Sequence, residues 1–81
     1  MSRLWLSNVP PDATDEELRG LAEKYAPQLD CLLVQREPGD GTRPVAIMTF
    51  KGGELGDVER LAQRLNGMFW KDRKLGGTTM V

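Results

Sequence analysis

Between Leu6 and Leu18 the apolar pattern changes its period, so this chain must build two different elements side by side. Arg3-Leu4-Trp5-Leu6-Ser7 alternates with period two, which predicts a strand with Leu4 and Leu6 on one face. Val9-Pro10-Pro11 stops it, because successive prolines offer no ladder donors. Thr14-Asp15-Glu16-Glu17 then reads as a capping box, with Thr14 as N-cap and Glu17 placed to reach back to it. The helix behind that cap carries Leu18, Leu21, Ala22 and Tyr25 at i, i+3, i+4 and i+7, a single apolar stripe, and Pro27 ends it.

The same reading extends along the chain. Leu29 to Arg36 predicts a second strand, with Leu32 and Val34 on one face and Cys31, Leu33 and Gln35 on the other. Pro38-Gly39-Asp40-Gly41 is turn chemistry, and Arg43 to Phe50 resumes an extended pattern, so the pair predicts a hairpin. Val58, Leu61, Ala62 and Leu65 form a second helical stripe closed by Asn66-Gly67. Met68-Phe69-Trp70 and Leu75 to Val81 leave room for a short hairpin and a last strand, which Gly76-Gly77 is expected to weaken. Strand, helix, strand, strand, helix, strand is the order of an α+β, ferredoxin-like βαββαβ sandwich, a four-stranded antiparallel sheet with two helices on one face. The helices are expected to cover Leu4, Leu6, Leu32, Val34, Ala46, Met48 and Phe50. The opposite face then presents Arg3, Trp5, Ser7, Leu33, Gln35, Val45, Ile47 and Thr49. An open face holding Trp, Leu, Val and Ile is more apolar than solubility requires, which marks it as the candidate functional surface.

Length and composition narrow the function classes. Eighty-one residues are read as one domain, 1–81, burying only about 60–65% of its unfolded surface and leaving little room for a deep cavity. No apolar run is long enough to span a membrane. With no histidine and the single Cys31, a zinc site and a histidine-based triad are excluded, and the compartment expected is cytoplasmic, or nuclear in a eukaryote. The net charge of −1 is not that of a basic nucleic-acid sponge. It hides a segregation: from Asp12 to Asp30 six acids oppose Arg19 and Lys24, whereas from Lys71 onward Lys71, Arg73 and Lys74 oppose only Asp72. A net-acidic protein can therefore carry one basic surface, although charge alone also fits an evenly mixed exterior.

Leu4-Trp5-Leu6-Ser7-Asn8-Val9 resembles the RNP2 motif of RNA recognition motif domains, and Arg43-Pro44-Val45-Ala46-Ile47-Met48-Thr49-Phe50 stands where that family has RNP1. Leu65-Asn66-Gly67 and Lys71-Asp72-Arg73-Lys74-Leu75 are similar to the family's ending of the second helix and approach to the final strand. The resemblance covers nearly the whole chain in the right order. It implies single-stranded RNA bound by base stacking on one aromatic of RNP2 and two of RNP1. Trp5 matches the first, but Val45 and Ile47 stand in place of the other two, and Pro44 replaces a glycine. Affinity is therefore expected to be weak or selective.

On this reading Trp5 stacks a base, while Arg3 and Arg43 meet phosphates or bases. Ser7, Gln35 and Thr49 reach base edges, and Leu33, Val45 and Ile47 flank them. Lys71, Arg73 and Lys74 extend a basic strip. The alternative occupant of the same face is a protein, which the aliphatic replacements and Phe69-Trp70 would suit. A covered Trp5, under the chain's end or a second copy, is the plain structural alternative. No enzyme is expected, since there is no phosphate-cradling loop and no CxxC, and Asp15, Glu16 and Glu17 are explained by helix capping. The expectation is a monomer with no cofactor, metal or membrane partner.

Overall fold

Thr14 caps the first helix as its sequence demands. The Glu17 N–H donates to Thr14 Oγ1 at 3.1 Å, and the Thr14 N–H donates to Glu17 Oε1 at 3.0 Å. In the computed structural model, which describes residues 2–37, 44–53 and 56–80, this helix is α1, Asp15–Tyr25. It follows strand β1, Ser2–Ser7, and leads to β2, Leu29–Glu37. Next come β3, Val45–Gly52, and α2, Asp57–Leu65. A small hairpin of β4, Phe69–Trp70, and β5, Arg73–Lys74, precedes the final β6, Gly76–Met80. The turn expected at residues 38–41 and the candidate Arg43 lie outside the described residues.

The sheet order is β2-β3-β1-β6, antiparallel throughout, which is the ferredoxin-like arrangement. Side chains of a strand point alternately to the two faces. Leu4 and Leu6 of β1 and Ala46, Met48 and Phe50 of β3 accordingly form the floor of the core, with Leu18, Leu61 and Leu65 among the helix residues above them. Both helix stripes read from the sequence are in this cluster, Tyr25 at its margin.

Strand β2 departs from simple alternation. Its pairing with β3 slips between Cys31 and Leu33, so that Cys31 opposes Phe50 and Leu33 opposes Thr49, with Leu32 as the extra residue of a bulge. The bulge reverses the expected faces of Cys31 and Leu32. Cys31 packs at the margin of the core, where burial pushes its thiol pKa up, whereas Leu32 is 46% exposed. Leu33, Val34 and Gln35, beyond the slip, keep the faces expected of them.

The last strand gives its two glycines a role in packing. Gly76 and Gly77 are what allow β6 to fit where it does. A Cβ on Gly77 would stand 2.8 Å from the Ala62 carbonyl oxygen and 3.3 Å from the Asn66 nitrogen, both backbone atoms of the α2 end. The Gly77 N–H also donates to Asn66 Oδ1 at 3.1 Å. On the other face a Cβ at Gly76 would collide with Ser7 Oγ. The paired glycines therefore serve close approach on both faces of the strand.

The β4–β5 hairpin turns through Lys71 and Asp72, both at positive φ (50° and 67°), the backbone of a two-residue type I′ turn. That turn delivers Lys71 Nζ to Glu17 Oε2 at 2.5 Å, tying the hairpin to the cap of α1. Trp70 packs against the core from this hairpin, while Phe69 is 75% exposed.

Three outcomes follow from this packing. Met48→Ala and Leu61→Ala should each cost about 2–5 kcal/mol, and half-buried Ile47→Ala less than half as much, read from urea midpoints. Gly77→Ala should cost about 1–3 kcal/mol and more than Gly76→Ala, since backbone atoms yield less readily than the Ser7 hydroxyl. The Lys71 ammonium and the Thr14 N–H hold the Glu17 carboxyl below its ordinary pKa, and Glu17 raises that of Lys71. A lowered carboxylate stabilises above its unfolded pKa and is lost as pH falls; a raised lysine stabilises below its unfolded pKa and is lost as pH rises. Thermal midpoints of the wild type and Glu17→Gln should therefore differ most between about pH 5 and pH 10 and converge near pH 2.

Candidate nucleic-acid interface

Residues directly opposite in an antiparallel pair share a face, so the register alone lays out the open side of the sheet. One row across the four strands runs Gln35, Ile47, Trp5, Thr78. The next runs Leu33, Thr49, Arg3, Met80. One step in the other direction Glu37 faces Val45, and Ser7 faces Gly76. Trp5 thus sits on an interior strand, half-buried, with Ile47 on one side and Thr78 on the other.

The structure brings Arg3, Trp5, Ser7, Leu33, Gln35, Ile47 and Thr49 onto this one surface. Arg3, Leu33 and Gln35 are exposed; Ser7, Ile47 and Thr49 are half-buried. Val45 lies on the same face but is only 6% exposed, so it is not the open apolar platform expected. It is a short side chain on an interior strand, set between Glu37 across the pair and Ile47 two residues on, and it stands outside the helix-side core. Thr78 and Met80 were missed. Their signal was the alternation Gly76, Thr78, Met80, which was read only for the weakening effect of its glycines.

Two of the three basic residues near the last strand do not join the face. Lys71 is bound to Glu17 at the start of α1, and its ammonium lies 5.9 Å from the Trp70 ring centre. The Arg73 guanidinium donates to Asn8 Oδ1 at 3.1 Å, while Asn8 Nδ2 donates to the Lys74 carbonyl at 2.9 Å. Asn8 can do both because it occupies the left-handed region, φ 58°, which asparagine tolerates better than most residues. Lys71 and Arg73 therefore hold the hairpin to the rest of the fold rather than extending a basic strip. Their sequence clustering concealed this, because their partners, Glu17 and Asn8, are far away in the chain.

The face is consequently close to neutral. The Asp30–Lys51 pair continues it past Leu33 and Thr49, so the described charges are Arg3 and Lys51 against Asp30 and Glu37. What the surface offers a ligand is one indole, several hydroxyl and amide groups, and aliphatic contact. Among the described residues no group of side chains is arranged to hold a metal ion, and no helix is long and apolar enough to cross a membrane.

Comparison with known proteins agrees with this arrangement. The fold is similar to the RRM3 structure of Pes4, with a TM-score of 0.80 at 17% identity, covering all of this chain and 93% of that one. It is similar also to the three N-terminal RNA binding domains of the yeast splicing factor Prp24, with a TM-score of 0.75 at 20% identity over 98% of this chain and 32% of that one. A third likeness is to SR1-RRM1 of Plasmodium falciparum in complex with ACAUCA RNA, with a TM-score of 0.65 at 15% identity, covering 96% and 82%. No curated protein matches by sequence. At these identities the likeness is one of fold, but the family model for the RNA recognition motif matches residues 4–76, nearly the whole length from β1 into β6. The chain belongs to the RNA recognition motif family.

Proposed function

We propose that the open sheet face binds single-stranded RNA weakly, with one base stacked on Trp5. The observation that carries this reading is the position of the indole, on an interior strand of the open face between Ile47 and Thr78. Bases stack on such a ring with little regard to sequence. Gln35, Thr49 and Thr78 stand within the same and the adjoining row to meet base edges, and Arg3 is placed to meet a phosphate or the next base. The SR1-RRM1 structure, similar in fold, was determined with a six-nucleotide RNA. Binding is weak on this account because one ring replaces three and because the described charges of the face nearly cancel. Base stacking contributes about 1–3 kcal/mol per base, and the counterion release that strengthens most nucleic-acid complexes is small here.

One feature favours a protein on this side instead. Leu32 and Leu33 are 46% and 48% exposed on an edge strand, an aliphatic patch that RNA does not require. Salt separates the two occupants. RNA bound through a phosphate loses affinity with salt, by a slope of about 0.7 per phosphate contact on a single strand, whereas aliphatic contact does not.

The expected outcome with hexanucleotides is micromolar or weaker binding that shifts the amide signals of Trp5, Ile47 and Thr78. Trp5→Ala should weaken it by about 1–3 kcal/mol, several-fold to about a hundredfold, while leaving the fold intact. Fluorescence can follow the titration once a Trp70→Phe background isolates Trp5. Absence of any oligonucleotide-dependent shift on β1 at low salt would overturn the RNA reading.

A further inference from the structure

On the helix side, away from the open face, the end of α1 and the outer face of α2 enclose a shallow groove. It is lined by Lys24, Tyr25, Asp57, Arg60 and Arg64 and closed below by buried Ala26 and Leu61. Among the described residues three cations face one carboxylate there, in a protein whose net charge is −1. Asp57 is the smaller part of the exposed charge, its side chain 13% exposed against 66% for Arg60, to which it is bound at 3.2 Å. Arg60 and Arg64 are four residues apart on one helix, so their guanidinium groups share one face of it. With Asp57 largely buried, the exposed charge of the groove is positive.

We infer that this groove is a docking site for a carboxylate-rich peptide segment of a partner protein. Arginine meets carboxylates with two parallel hydrogen bonds, and two arginines one helical turn apart match acidic residues spaced along an extended segment. The Tyr25 ring disfavours a stacked base as the occupant. Arg64 lies 4.9 Å and Lys24 5.5 Å from its centre, so the ring already holds two cations over its π-surface. In that state it positions positive charge and is not an open stacking platform for a base. The site is independent of the sheet, and both can be filled together.

The test uses the whole chain, isotopically labelled, and three probes: acetyl-Glu-Glu-Leu-Glu-Glu-amide, its all-glutamine counterpart and hexauridylate. The acidic peptide should shift the amides of Tyr25, Arg60 and Arg64 in low salt and leave Trp5 and Ile47 unmoved. Arg60→Gln with Arg64→Gln should weaken it at least tenfold. Lys24→Gln, off the arginine helix, should weaken it by a smaller factor and serves if the double variant does not fold. No shift in low salt, equal binding of the glutamine peptide, or hexauridylate shifting the groove instead would each overturn the proposal.

Discussion

Strand β1 has a neighbour on each edge, β3 and β6, and a layer of helices over one face, so each of its side chains has a fixed role. Leu4 and Leu6 point into the layer between sheet and helices, where neither is exposed at all. Period two leaves Arg3, Trp5 and Ser7 no choice but the other side. A slip of one residue would place an indole in the core and two leucines in water. The candidate surface is therefore held in place by the same contacts that stabilise the core, and a ligand meets a ring whose position is set before it arrives.

Much of this was legible from residue order. Thr14 with Glu17, the two apolar stripes and the alternation in β1 and β3 each state a local preference that the packing then satisfies. Where the reading failed, the deciding partner was distant. Nothing near Leu32 announces that β2 must take up an extra residue against β3, since a bulge is a property of two strands. The partners of Lys71 and Arg73 are Glu17 and Asn8, which only the folded chain brings close. In the sequence Gly76 and Gly77 signal only a weakened strand, whereas in the fold they vacate space for Ser7 and for the backbone of α2. Val45 shows the same limit: alternation assigns its face correctly but cannot report how little of it stays exposed.

Charge in this molecule is organised by pairing and by side. At the start of α1, Glu17 is engaged by Thr14 and Lys71, and Asp15 by Arg36, whose guanidinium also reaches the Ala13 carbonyl. The basic residues around the hairpin are largely used inside the fold. What remains among the described residues is a sheet face near neutrality and, on the helix side, a groove with surplus positive charge.

The bulge in β2 also bears on how readily its edge can pair with another strand. β2 is a nine-residue strand at the edge of the sheet, carrying Leu32 and Leu33 in the open. A long, regular, apolar edge is a template on which other chains extend the ladder. By breaking the repeat between Cys31 and Leu33, the extra residue leaves an approaching strand no continuous register to follow on the edge. Two leucines can then stay exposed beside the candidate surface without turning that edge into a regular template for another strand.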